Sequence, residues 1–428
     1  MAQVLIIADD LSGAADCASA FVKNGLETLV LIEQADSQVQ HVTAGAGATM
    51  AQVISIDADT RRLPGADAAR AHVALYGRYR AAGQLLYKKI DSTLRGNFAE
   101  ELAAIIDEAG MAIVAPAFPQ AGRLTMNGHQ YLNDTPLEKT DIWRGEGISG
   151  TAHIPAMLAR HGIRTASITL NEIRQGAQQL RSLLESYGSN GVQAVVCDAA
   201  ADGDLQAIAQ ASVGLSVPRF WVGSAGLANH LPAAARELLA SAAQETTGSR
   251  TAVPATAIAD GSILTVVGSV SGISRSQAEY LFSKGHTERL DVPAAVLRQG
   301  LSHPRWQELD STLAALLENR RDVLVMIGME GPLDMAEGLQ LCQALAQMIA
   351  PLAGHISAVI ATGGETARAI LSAMGTSGLR LTGEIEPGVP LSVADGARPI
   401  TVITKAGAFG SLDTLFRSHE TLRAMRAP

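Results

Sequence analysis

The chain has 428 residues, 47% of them hydrophobic and 18% charged, with a formal net charge of −9. That is ample to bury the cores of two domains, or three, and it excludes a disordered chain. The acidic balance and the absence of any Lys/Arg run exclude a general nucleic-acid surface.

Three scattered cysteines, Cys17, Cys197 and Cys342, make no CxxC pair and fit a reducing compartment. No apolar stretch approaches the roughly 20 residues that span a bilayer. The first apolar run is cut short at Asp9 and Asp10 and has no basic segment before it, so no signal peptide is expected. A soluble, cytoplasmic protein follows.

Strands are expected over 4–8, 28–32, 52–56, 85–90, 112–115, 165–170, 194–197 and 220–222. Helices are expected over 14–24, 67–82 and 171–187. Several of the strand segments are apolar throughout rather than alternating, as strands covered on both faces are. The segment 239–258 breaks the rhythm with Ala, Ser and Thr and reads as an inter-domain linker. A second series follows, with strands over 263–267, 322–327, 358–361 and 400–404 and helices over 275–283, 306–318 and 335–349. The expected fold class is α/β: two domains, 1–245 and 246–428, each a mostly parallel sheet flanked by helices.

Ligands of such sheets bind beyond the carboxyl ends of the strands. The first strand runs into Asp9 and Asp10, followed by Ser12-Gly13 opening a helix. One acid can cap that helix; a second is left to accept a hydroxyl, act as general base or hold Mg²⁺. After the third strand, Arg61 or Arg62 could clamp a carboxylate. The fourth strand leads into the densest polar cluster, with Lys89, Asp91, Ser92, Thr93, Arg95 and Asn97, in which Lys89 and Asp91 share a face. After the fifth, a Pro- and Gly-rich turn would aim Arg123, and Asn127-Gly128 signals a hairpin. Gly223-Ser224-Ala225-Gly226 reads equally as an anion-binding helix start or as a tight packing turn.

In the second half, three glycine-rich turns each follow an apolar strand. They are Gly268-Ser269-Val270-Ser271-Gly272, Thr362-Gly363-Gly364-Glu365-Thr366 and Lys405-Ala406-Gly407-Ala408-Phe409-Gly410. Glycine lets backbone approach a ligand, and helix N-termini offer N–H donors to phosphate. Three such turns point to a phosphate-bearing ligand, with Lys405 available to neutralise its charge. The pattern GxxxxGK[ST] is absent, as are GxGxxG at the first helix, HExxH and Cys/His clusters at metal-ligand spacing; no metal-ligating set is expected.

The stretches ADDLSGA (8–14), KKIDSTLRGN (88–97), PAFPQAGR (116–123), GSAGLA (223–228), GSVSGIS (268–274), ATGGET (361–366) and KAGAFG (405–410) resemble, in this order, the four-carbon acid sugar kinase family across essentially the whole chain. The resemblance implies a sugar-acid-binding N-terminal domain, an ATP-binding C-terminal domain and an active-site cleft between them. It implies Mg²⁺-ATP as cofactor and transfer of the γ-phosphate to the C4 hydroxyl. Asp9, Asp10, Arg61, Lys89, Ile90, Asp91, Ser92 and Arg95 are then expected at the substrate, with Asp9 or Asp91 as the catalytic acid–base group. Ser269, Ser271, Thr362, Gly363, Gly364, Glu365, Thr366, Lys405, Gly407, Ala408, Phe409 and Gly410 are expected at the nucleotide. Ser12 stands where the family more often has Thr, and the hydroxyl is kept. D-threonate is the favoured substrate; D-erythronate, L-threonate and the oxo-tetronates are alternatives, and a non-catalytic sugar-acid sensor is a more distant one. A homodimer is left open.

Overall fold

The computed structural model describes residues 2–33, 51–243, 258, 260–268, 271–328, 337–395 and 399–426. The chain forms two compact units. One holds Met1–Thr28 and Glu33–Ser249; the other holds Leu29–Ile32 and Arg250–Pro428. Of the linker expected at 239–258, residues 239–243 end the helix Arg236–Ala243, and 244–257 lie outside the described residues.

The strands of the first half are β1 (Val4–Ala8), β2 (Thr28–Ile32), β3 (Val53–Asp57), β4 (Leu85–Lys89), β5 (Met111–Ala115), β6 (Arg123–Met126), β7 (His129–Leu132), β8 (Thr135–Pro136), β9 (Thr165–Ile168), β10 (Ala194–Cys197) and β11 (Arg219–Gly223). In the first unit β3-β1-β4-β11-β5-β10-β9 pair in that order, every pair parallel. β1, β5 and β10 are buried at every position, which is why their sequences run apolar without alternation. β6, β7 and β8 form a small antiparallel sheet. It turns on Asn127 and Gly128, whose positive φ angles of 51° and 70° suit a two-residue hairpin.

Helix α1 (Leu11–Lys23) starts three residues earlier than the sequence indicated, because Asp10 accepts a hydrogen bond from Gly13 N and caps it there. Helices α2 (Gly65–Tyr79) and α3 (Phe98–Ala109) pack on one another beside the sheet. The single helix expected over 171–187 is two, Leu170–Ile173 and Ala177–Ser189; the break falls at Gly176, with φ of 116°.

The second unit has β12 (Ser262–Val267), β13 (Glu288–Val292), β14 (Val323–Ile327), β15 (Ile356–Thr362), β16 (Gly378–Glu384), β17 (Pro390–Asp395) and β18 (Ile400–Lys405). Its parallel core is β13-β14-β12-β15-β18. β17 and β16 extend it antiparallel, and residues 29–31 of β2 pair antiparallel with β16. β13, β16 and β17 were not expected from sequence. Glu288, Arg289 and Asp291 make β13 polar on its open side, and the other two belong to an antiparallel ribbon with no long apolar run.

In each unit the strand order reverses beside its first strand, at β1/β4 and at β12/β15. A crevice outside the carboxyl ends of the strands opens at such switch points.

Candidate functional site

In the first unit, Ala8 of β1 is level with both Asp57 of β3 and Lys89 of β4. The residues that follow each strand therefore meet at one edge. Asp9, almost fully buried, is held by both prongs of Arg61: Nε donates to Oδ2 at 2.7 Å and Nη2 to Oδ1 at 3.0 Å. Arg61 Nη1 also donates to Asp10 Oδ2 at 2.7 Å. The turn carrying Arg61 is tied back, since Thr60 N and Arg61 N both donate to the Asp9 carbonyl. Burial would raise the Asp9 carboxyl, but Arg61, with Lys89 and Lys88, outweighs it and holds the group below its ordinary value.

Asp91 makes a second fork. Arg95 Nε and Nη2 donate to its two oxygens at 2.9 Å each, and Thr93 N and Oγ1 donate to Oδ2. Burial opposes ionisation here too, and Arg95, Arg61 and Thr93 more than offset it, so Asp91 lies well below the usual carboxylate range. The carbonyls of Ser92 and Thr93 are fixed by Gln130 Nε2 at 2.8 Å and Trp143 Nε1 at 2.9 Å. Both expected acid–base candidates are thus ionised, doubly paired carboxylates. They can orient a hydroxyl; their low basicity disfavours proton abstraction.

Lys89 differs. It is 5% exposed, and although its charge acts on Asp9, its ammonium makes no hydrogen bond or ion pair within the described residues. Its Nζ lies so close to the α1 N-terminus that a Cβ on Gly13 would stand 2.6 Å from it and 2.6 Å from Asp10 Oδ1. Ser12 Oγ, in the same first turn, is buried without a partner. An unpaired ammonium, an orphan hydroxyl and a helix N-terminus together favour an anion.

Behind this edge, Lys88 Nζ meets Glu101 Oε2 at 2.8 Å and donates to the Lys89 carbonyl at 3.0 Å, while Thr60 Oγ1 donates to Glu101 Oε1 at 2.5 Å. Lys88 and Glu101 are fully buried. Removing one partner of such a pair costs about 3–5 kcal/mol. The sequence reading missed Glu101, which sits in the first turn of α3 with no local sign of its partner. Ile90 contributes backbone only, its N donating to Gly223 O, and its side chain is core. The Gly223–Gly226 turn is a packing turn: a Cβ at Gly223 would meet Ala115 O at 2.6 Å, one at Gly226 would meet Ala117 O at 2.4 Å, and the helix after it has only four residues. Arg123 lies in β6 and donates to Ala121 O instead of extending from a rigid turn.

In the second unit the three glycine turns converge. A Cβ on Gly268 would stand 2.2 Å from Thr366 Oγ1, which brings the end of β12 against the helix Gly364–Ala373. Gly363 N donates to the Lys405 carbonyl at 2.7 Å, and Ser274 Oγ to Gly407 O at 2.7 Å. Ser271 caps the helix Gly272–Ser283 by position, Thr362 Oγ1 is buried without a partner, and Glu365 lies in the first turn of its helix. Ser269 lies outside the described residues. Lys405 is placed otherwise than expected: its side chain is 1% exposed and points into the turn.

Among the described residues, His286, His419 and Glu420 are grouped at ligand spacing. Arg423 donates to both His286 and Glu420, so a guanidinium already serves that group, and we assign no metal to it. No helix among the described residues is long and apolar enough to cross a membrane.

The two units define an α/β protein with an anion-favouring polar edge on one sheet and a glycine-turn cradle on the other. Residues 4–231 match the family described as a sugar-binding N-terminal domain, and residues 264–415 the one described as a nucleotide-binding C-terminal domain. The chain is 44% identical to a D-threonate kinase of Cupriavidus necator, over 99% of each chain. It is 32% identical to a D-threonate kinase of Bordetella bronchiseptica, over 98% of each. A solved structure from Salmonella typhimurium LT2, 22% identical, shares the fold with a TM-score of 0.75 and covers 98% of this chain and 100% of that one. The chain belongs to the four-carbon acid sugar kinase family.

Proposed function

We propose that this protein is a cytoplasmic ATP-dependent kinase that phosphorylates the C4 hydroxyl of a four-carbon sugar acid, D-threonate. The observation that carries the reading is Lys89: a buried cation without a partner, next to the orphan hydroxyl of Ser12 and the N-terminus of α1, in a site otherwise filled by self-satisfied Asp–Arg pairs. A small carboxylate supplies the hydrogen-bond partner that this ammonium lacks. The hydroxyls of the acid then face Asp9 and Asp91, carboxylates able to accept from them. The three convergent turns of the second unit supply backbone donors for the nucleotide phosphates.

Phosphoryl transfer needs alignment and charge neutralisation more than a strong base. Arg-paired carboxylates suit that demand: they hold the attacking hydroxyl in line. Mg²⁺ carried with ATP adds positive charge at the phosphates. Thr362 Oγ1, buried and unpartnered, and Glu365 are hard oxygen donors of the kind Mg²⁺ takes.

The test is ADP release from Mg²⁺-ATP against D- and L-threonate, D- and L-erythronate and the oxo-tetronates, with phosphorus NMR of the product. D-threonate is expected to lead in kcat/KM and to be phosphorylated at C4. Another acid in front would replace the substrate and keep the class. Binding of acid and ATP without turnover would favour a sensor.

A further inference from the structure

Lys405 ends β18 and enters the last glycine turn, and its ammonium is surrounded by that turn. Nζ donates to the carbonyls of Ala406 at 3.0 Å, Gly407 at 3.3 Å and Phe409 at 3.1 Å, and lies 3.2 Å from Ser274 Oγ. Two neutral groups of the helix Gly272–Ser283 bind carbonyls of the same turn. Ser274 Oγ donates to Gly407 O, and Gln277 Nε2 donates to Phe409 O at 3.1 Å and Ser411 O at 2.7 Å. Four carbonyls of one six-residue turn are therefore drawn towards a single buried cluster.

Peptide geometry gives the consequence. In a planar trans peptide the C=O of one residue and the N–H of the next point in opposite directions. With the carbonyls of Ala406, Gly407 and Phe409 turned inward, the N–H groups of Gly407, Ala408 and Gly410 are turned outward. None of the three donates a hydrogen bond within the described residues. Gly410, with φ of 87°, closes the turn where a Cβ would meet Thr414 Oγ1 at 2.4 Å. Successive outward amides over a buried cation make a concave anion site.

We propose that Lys405 is the positioning residue of the nucleotide site: its buried ammonium fixes the turn carbonyl-inward so that the amides of Gly407, Ala408 and Gly410, and not the lysine itself, meet a phosphate of the nucleotide. The inference rests on the kinase reading. It replaces the direct Lys405–phosphate contact that the sequence suggested with an indirect one. Lys405 also leaves its positive charge behind the amides, which adds attraction without contact.

Two experiments on the full-length protein decide it, with ADP as the probe. In the wild type, amide hydrogen exchange of the peptide covering 406–411 is expected to be fast in the free protein and slowed at least about tenfold by saturating ADP; no ADP-dependent protection there overturns the proposal. The Lys405→Met variant keeps the chain length and removes the donors. It is expected to raise the dissociation constant for ADP and the KM for ATP at least about tenfold, with the KM for the acid within about twofold. A folded Lys405→Met protein that binds ADP like the wild type overturns the proposal, and a Lys405→Met protein that does not fold leaves the exchange experiment to decide. A wild type that binds no nucleotide at all fails the kinase reading itself, which separates the two outcomes.

Discussion

Asp9 and Arg61 stand 52 positions apart in the chain and meet in a two-pronged pair, at 2.7 and 3.0 Å, outside the end of β1. In this structure Arg61 is engaged by Asp9 and Asp10, and Asp9 is an acceptor held below its ordinary value.

Replacing Asp9 by Asn keeps the shape and removes the charge that aligns the hydroxyl. The expected result is a loss of at least about 100-fold in kcat, with a lowered melting temperature because Arg61 loses its paired carboxylate. Arg61→Ala is expected to cost about 3 kcal/mol of stability as well, because it strands a buried carboxylate. An Asp9→Asn enzyme that turns over within threefold of the parent would remove Asp9 from the reaction.

Lys89→Met tests the proposed carboxylate contact. Losing this cation is expected to raise the KM for the acid about 10- to 150-fold, since hydrogen bonds to charged groups contribute about 1.5–3 kcal/mol, and to leave the KM for ATP unchanged. Initial-rate kinetics in both substrates separate the two effects. A rise confined to the ATP term would place Lys89 elsewhere in the reaction.

His72 sets a limit on acid stability. It is fully buried in α2, with Nδ1 3.1 Å from Ala68 O and Nε2 unpartnered; Lys88, Glu101 and Asp9 are the charges that act on it. Burial, helped by Lys88, pushes it down to about 4. The unfolded chain takes up the proton near 6.5 and the folded chain only near 4. Between those values the unfolded state binds more protons, so stability falls as pH drops from about 6.5 to 4, by on the order of 3 kcal/mol. Urea unfolding across this range should show the slope in the parent and lose most of it in His72→Leu; an equal slope in both would clear the histidine.

Lys405 should make nucleotide binding fail on the alkaline side. Burial brings its ammonium down to about 8 against the opposing pull of Glu386, the one charged group that acts on it in the described structure; its direct partners are uncharged. As pH rises through about 8 the ammonium is lost and the turn loosens, so ADP affinity is expected to fall between about pH 7 and 9 while the affinity of the acid holds. Calorimetric titration of both ligands across that range checks it. A flat ADP profile would mean that the neutral amine holds the turn equally well.

The sequence by itself determined the strands and the places where chemistry gathers. β1, β2 and β10 fall where their apolar runs begin and end, because strands covered on both faces must be apolar at every position. Polar and glycine-rich residues after β1, β4, β12, β15 and β18 were legible for the complementary reason: a strand end in a parallel sheet is where polar groups can reach a ligand. What only the tertiary structure decided was the state of each charge. Local sequence gives Asp9, Asp91, Arg61, Lys89 and Lys405 as equal candidates. Pairing across 52 residues binds Arg61 to Asp9, a tight turn after β4 brings Arg95 back to Asp91, and the packing of Ser274 and Gln277 draws the last turn around Lys405. Among these, Lys89 is left as the ammonium without a direct hydrogen-bond partner in the described residues. Whether a charged group is spent or available depends on its neighbours in space within a few ångströms, and a parallel α/β fold brings those neighbours together from crossovers far apart in the chain.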